Sequence, residues 1–116
     1  MIVNELKGRL EDDSMMGRAA LVGSCARRLH GEAYRMEEDT DLDVLVQYDV
    51  SRRDFEDHVM RETGRSVRGD IAELKGYVDQ ELGPIEGIEV DSYVVFDNNR
   101  KFRKKFDEDP FAFMIY

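Results

Sequence analysis

The chain has 116 residues, 41% of them hydrophobic and 37% charged, with a net charge of −9. A length of this order fits one domain that buries roughly two-thirds of its unfolded surface, and the apolar content argues for a packed globule rather than disorder. The acidic balance makes a long nucleic acid a poor partner unless a local basic patch outweighs it, but leaves room for a small phosphorylated ligand carried with a divalent cation.

The single cysteine, Cys25, excludes an internal disulfide and a multi-thiolate metal site, and reads as a small buried apolar residue. No apolar run approaches the ~20 residues that span a bilayer, and MIVNELKGRLEDD lacks the basic start and apolar core of a signal peptide. We therefore expect a soluble, cytoplasmic chain with no membrane partner, forming a single domain over residues 1–116.

Val3, Leu6 and Leu10 have helical spacing, so the first dozen residues predict a helix, weakened by Gly8. A short apolar strand follows from Ala19 to Val22 and ends on Gly23, with a helical turn after it. The run DLDVLVQ alternates Asp41, Asp43 and Leu45 with Leu42, Val44 and Val46, which is strand periodicity. Ser51, with Asp54 three residues later, resembles a helix cap ahead of Phe55 and Val59. Val67, Ile71, Leu74, Val78 and Leu82 then form a helical stripe that Gly83–Pro84 stops. Such a stripe reads as core.

Ile88 to Phe96 is again strand-like, with Glu89, Asp91 and Tyr93 on one face and Val90, Ser92, Val94 and Phe96 on the other. Phe102 and Phe106 predict a basic amphipathic helix after Asn98, and the closing FAFMIY predicts a last strand. This order implies an α/β (α+β) sandwich with a mixed sheet and helices packed against it.

The candidate chemistry lies on these strands. Asp41 and Asp43, two apart on a strand, leave the same face with Cα atoms about 6.5–7 Å apart and can share a cation. Two anions on an otherwise apolar strand repel one another, and a bound divalent ion offsets that cost. Magnesium suits them, because it takes hard oxygen ligands, needs only one or two carboxylates and completes its shell with water and phosphates. Ahead of this strand stands Gly23–Ser24, where a close-approaching backbone, the N–H groups of a helix start and the serine hydroxyl can hold a phosphate. Asp91, on a later strand, is the third acid. Asp97 reads alternatively as a helix cap.

Other acidic and basic groups read as solvated surface. Asp39, Asp41 and Asp43 fall on the first, third and fifth positions of a calcium loop. Val44 and Val50 stand where that loop needs glycine and a bidentate glutamate, so calcium is rejected. Glu37 to Asp39 read as a solvated turn. His30 and His58 have no partner at ligand spacing, which argues against zinc. Arg100, Lys101, Arg103, Lys104 and Lys105, with Arg27 and Arg35, are contact candidates that more often form a solvated face.

The segment LVGSCARRLHGEAYRMEEDTDLDVLV resembles the Gly–Ser…Asp–x–Asp signature of the DNA polymerase β nucleotidyltransferase superfamily, and particularly its minimal prokaryotic members. IEVDSYVVF supplies the third acid, 48 positions after Asp43. His30 to Ala33 resembles the family's Arg–Gly–Glu–Ala stretch, within a connection of sixteen residues between Ser24 and Asp41 that is longer than usual for the family. The resemblance implies the nucleotidyltransferase fold and the transfer of a nucleoside monophosphate, AMP above all, from a nucleoside triphosphate to an acceptor hydroxyl. Asp41, Asp43 and Asp91 would be catalytic and bind two magnesium ions, while Gly23 and Ser24 would bind the phosphates. It further implies a small helical HEPN-type protein partner, as for minimal members that serve as antitoxins, and admits a homo-oligomer. The rival reading is a catalytically inactive nucleotide-binding or assembly subunit.

Overall fold

A computed structural model describes residues 2–23, 26 and 41–116. The described chain runs α1 (Ile2–Glu11), β1 (Met16–Leu21), β2 (Leu42–Tyr48), α2 (Arg52–Thr63), α3 (Ile71–Leu82), β3 (Val90–Phe96), α4 (Asn99–Glu108) and β4 (Phe113–Met114). The strands form one mixed sheet in the order β3-β2-β1-β4. β1 pairs antiparallel with both β2 and β4, while β2 and β3 are parallel. This is the α+β arrangement with a mixed sheet that the alternating patterns predict.

The alternation along the strands decides which helices cover which face. Leu42, Val44, Val46 and Tyr48 of β2 are buried together with Leu6 and Leu10 of α1, Phe55 and Val59 of α2, and Leu74, Val78 and Leu82 of α3. Ala20, Leu45 and Val95 turn the other way and are covered by Phe102 of α4, with Phe106 partly buried beside it. Among the described residues, three helices thus cover one face and one helix the other. Fully burying an apolar side chain of this size contributes roughly 1.5–3 kcal/mol, so the larger layer carries most of the hydrophobic stabilisation.

Local capping fixes where the helices start. Ser51 Oγ accepts from the Asp54 N–H at 3.1 Å, and Gly64 closes the same helix in the left-handed region at φ 73°. Asp70 caps α3 by accepting from the Glu73 N–H at 3.1 Å, and Asn98 caps α4 by accepting from the Lys101 N–H at 3.0 Å. Asp97 is therefore not the cap; it sits one residue earlier, at φ 41°.

The structure moves several of the expected boundaries. β1 begins at Met16 and ends at Leu21, because the ladder to β2 shifts register between Met16 and Arg18 and so hides the alternation there. Val67 lies ahead of α3 rather than in it, and Ile71 is 64% exposed. The chain between α2 and α3 turns at Gly69, whose φ is 76° and whose N–H donates to the buried Glu56 carboxylate at 2.9 Å. Ile88 precedes β3 and bridges Ile85 instead. The final strand is two residues long, although the Ile115 N–H still bonds the Ala19 carbonyl at 3.0 Å. Among the described residues no helix is long and apolar enough to cross a membrane.

Candidate functional site

β2 and β3 run side by side with Asp43 opposite Asp91. In-register neighbours on adjacent strands lie about 4.8 Å apart and point to the same face, so the two carboxylates are brought together although 48 positions separate them in the chain. That face is the one α4 covers. On β2 and β3 its aromatic anchors pack at Leu45 and Val95, leaving the acidic end of these strands open over a cavity of about 320 Å³. Gly23, Asp43, Lys75, Asp91, Tyr93 and Lys105 line it. Asp41 lies one residue ahead of β2 and is exposed.

The electrostatics follow from this placement. The Asp43 carboxyl is raised above its ordinary value, first by burial and then by the negative charges of Asp91 and Asp41; Lys75 opposes the shift and does not cancel it. Asp91 has a direct cationic partner: Lys75 Nζ stands 2.6 Å from its Oδ1. The same ammonium is 2.7 Å from Asp79 Oδ2, one helical turn along α3, and Asp79 Oδ1 accepts the Ser92 N–H at 2.7 Å. Burial works against the Lys75 ammonium, but its hydrogen bonds to Asp79 and Asp91 raise its pKa overall.

Gly23 ends the approach from β1 in the left-handed region, at φ 69°. A side chain there would meet Asp43: a Cβ would stand 2.5 Å from Asp43 Oδ2. The glycine therefore lets the backbone lie against the carboxylate. Its N–H donates to Asp109 Oδ2 at 2.7 Å, and Asp109 Oδ1 accepts the Phe111 N–H at 2.9 Å. Ser24, the other expected phosphate ligand, lies outside the described residues, as do Cys25, Arg27, His30, Arg35 and the Glu37–Asp39 turn.

Lys75 and Asp109 are the site residues that sequence reasoning missed. Lys75 carries one signal, its position four residues before Asp79 on a helix, but that spacing also describes an ordinary surface pair. Asp109 follows α4 and precedes Pro110, and nothing local to it points to Gly23. The basic stretch of α4 is exposed as expected, except that Lys105 Nζ lies 4.7 Å above the centre of the Tyr93 ring, a cation–π contact at the rim of the cavity.

Among the described residues no group of three acidic, histidine or cysteine side chains is gathered closely enough to enclose a metal ion. The donor chemistry fits magnesium on less than that. This ion is commonly held by one or two carboxylates with water and substrate phosphates completing its shell, and the repulsion on Asp43 is what a bound cation would relieve. Comparison with models of protein families, with curated proteins and with solved structures finds no match for this chain.

Proposed function

We propose that the chain is a minimal nucleotidyltransferase, which transfers AMP from a nucleoside triphosphate to an acceptor hydroxyl with pyrophosphate leaving. The observation that carries this reading is the in-register pairing of Asp43 with Asp91, against the Gly23 backbone and beneath an open cavity. Asp41 and Asp43 are the residues that would hold magnesium, with Asp91 as the third acid. When bound, magnesium neutralises charge on the phosphate oxygens as the phosphoryl group is transferred.

The protein's own contribution is placement. Gly23 and Ser24 would receive the terminal phosphates, because a backbone without a Cβ admits them close to the acids. Asp109 holds the Gly23 N–H in the free chain and would yield it to a phosphate oxygen. Tyr93 and Lys105 border the cavity and limit how the rest of the nucleotide lies. An acceptor hydroxyl would enter beside Asp91, and orienting it there accounts for much of the expected acceleration. A helical HEPN-type partner presenting that hydroxyl at the open mouth of the cavity fits the arrangement, as in an antitoxin role.

A second reading is a nucleotide-binding or assembly subunit without activity. It is favoured by one observation: Asp91 is already paired with the Lys75 ammonium, and the Gly23 N–H already donates to the Asp109 carboxylate within the chain. Calorimetric titration with ATP, with and without magnesium, tests the metal–nucleotide site without needing the acceptor. Binding that requires magnesium and disappears in a folded Asp41→Asn, Asp43→Asn double variant is expected. A folded protein that binds no triphosphate in either condition would rule out the nucleotidyltransferase. Given magnesium-dependent binding, labelled AMP retained on an acceptor separates the enzyme from the inactive subunit.

A further inference from the structure

The two carboxylates at the head of the sheet are not equivalent. Asp43 has no cation in salt-bridge contact among the described residues. Asp91 is already neutralised by an ammonium clamped from both sides, 2.6 Å from Asp91 and 2.7 Å from Asp79. Asp79 is itself fixed, because its second oxygen holds the Ser92 N–H of the same strand that carries Asp91. Strand, aspartate and lysine thus form a closed loop that keeps the ammonium on the Asp91 carboxylate.

We infer that Lys75 is a built-in cation of this site: it occupies Asp91 in place of a second divalent ion, so that the site takes one such ion, on Asp41 and Asp43, rather than two. This rests on the reading above that Asp41 and Asp43 hold magnesium. A divalent ion on Asp91 would stand beside the ammonium on the same carboxylate, and like charges so close repel strongly. Displacing the lysine would also leave Asp79 with the Ser92 N–H but without its cation. Lys75 is 42% exposed in its side chain, so the contact is open to substitution without emptying the core. Lys75 is on this view a positioning residue, acting through Asp91.

The test is to count bound Mn²⁺ by electron paramagnetic resonance in the full chain, with no nucleotide present. The natural protein should bind one ion. Lys75→Met should bind two, or bind its first ion about fivefold more tightly, as expected when a partly exposed like charge is removed. Lys75→Arg should restore the single ion. Two ions in the natural protein, or a Lys75→Met variant with unchanged number and affinity, would overturn the inference while leaving the metal site itself standing. Should Lys75→Met fail to fold, Asp91→Asn decides: one ion at an affinity within about threefold of the natural protein supports the inference, and loss of the ion overturns it. No bound ion in the natural protein removes the Asp41–Asp43 metal site and the inference with it.

Discussion

Gly23 and Asp43 touch: the backbone of one lies where only a hydrogen can stand against the carboxylate of the other, so that a Cβ would come to 2.5 Å from Asp43 Oδ2. Gly23→Ala therefore carries two costs, a left-handed φ unsuited to a side chain and a collision with a neighbour held in a strand. Urea unfolding should show a loss of about 1–3 kcal/mol. Combining it with Asp43→Ala should recover part of that loss, because the colliding group is gone; strictly additive losses would show that the two residues do not interact.

Metal-free Asp43 should make the protein less stable at neutral pH, not more. An acid whose folded-state pKa is raised binds its proton more tightly when folded, so its ionisation opposes folding above that raised value. The cost fades as pH falls through the raised pKa and is gone below the ordinary 3.8. Asp43→Asn should be more stable than the natural chain at pH 7 in chelator, and the two urea midpoints should converge towards pH 3.8. A variant that is no more stable at pH 7 would show that burial and the neighbouring acids do not penalise the ionised Asp43.

Tyr48 should govern part of the alkaline limit. It is 1% exposed, and burial, then Asp13, Tyr77 and Glu81, push its phenol well above the ordinary value of 10.0. Above pH 10.0 the unfolded chain loses this proton while the folded chain keeps it, so stability falls as pH rises. Tyr48→Phe should flatten that fall in thermal unfolding measured between neutral pH and the alkaline range, and an unaltered slope would assign the alkaline limit to other groups.

Phe102 should matter more than any other residue of α4. It is 2% exposed and packs with Ala20, Leu45 and Val95, while Arg18 lies 4.4 Å over its ring. Phe102→Ala should cost about 3–5 kcal/mol, against about 1 kcal/mol for removing a helix cap with Ser51→Ala. Equal losses in chemical denaturation would mean that α4 is held by something other than this side chain.

The strands and the faces of their acids were legible because a period of two is hard to mimic: DLDVLVQ places Asp43 opposite the buried Val44 and Val46, and IEVDSYVVF places Asp91 opposite the buried Val90, without any knowledge of pairing. Val67 misled because it packs into the same core as Leu74 and Val78, from a turn rather than from their helix, and spacing does not distinguish the two. Lys75 and Asp109 were illegible for a different reason. Their partners are set by how the helix–helix crossover lays α3 beside β3 and by where α4 ends, and both are long-range outcomes. A lysine on a helix and an aspartate before a proline look the same whether they meet a carboxylate, a backbone amide or water.

The parallel pairing of β2 with β3 also has a kinetic meaning. Parallel neighbours require a crossover, here through α2 and α3, so Asp43 and Asp91 meet only by closing a loop of chain that carries both helices. The Gly23 to Asp109 bond spans 86 positions and closes a longer loop still. Contacts this distant in the chain form late and slowly compared with those inside a helix. During synthesis the acids thus remain apart until β3 has emerged, and a nascent fragment ending before β3 has neither the paired carboxylates nor the cavity above them.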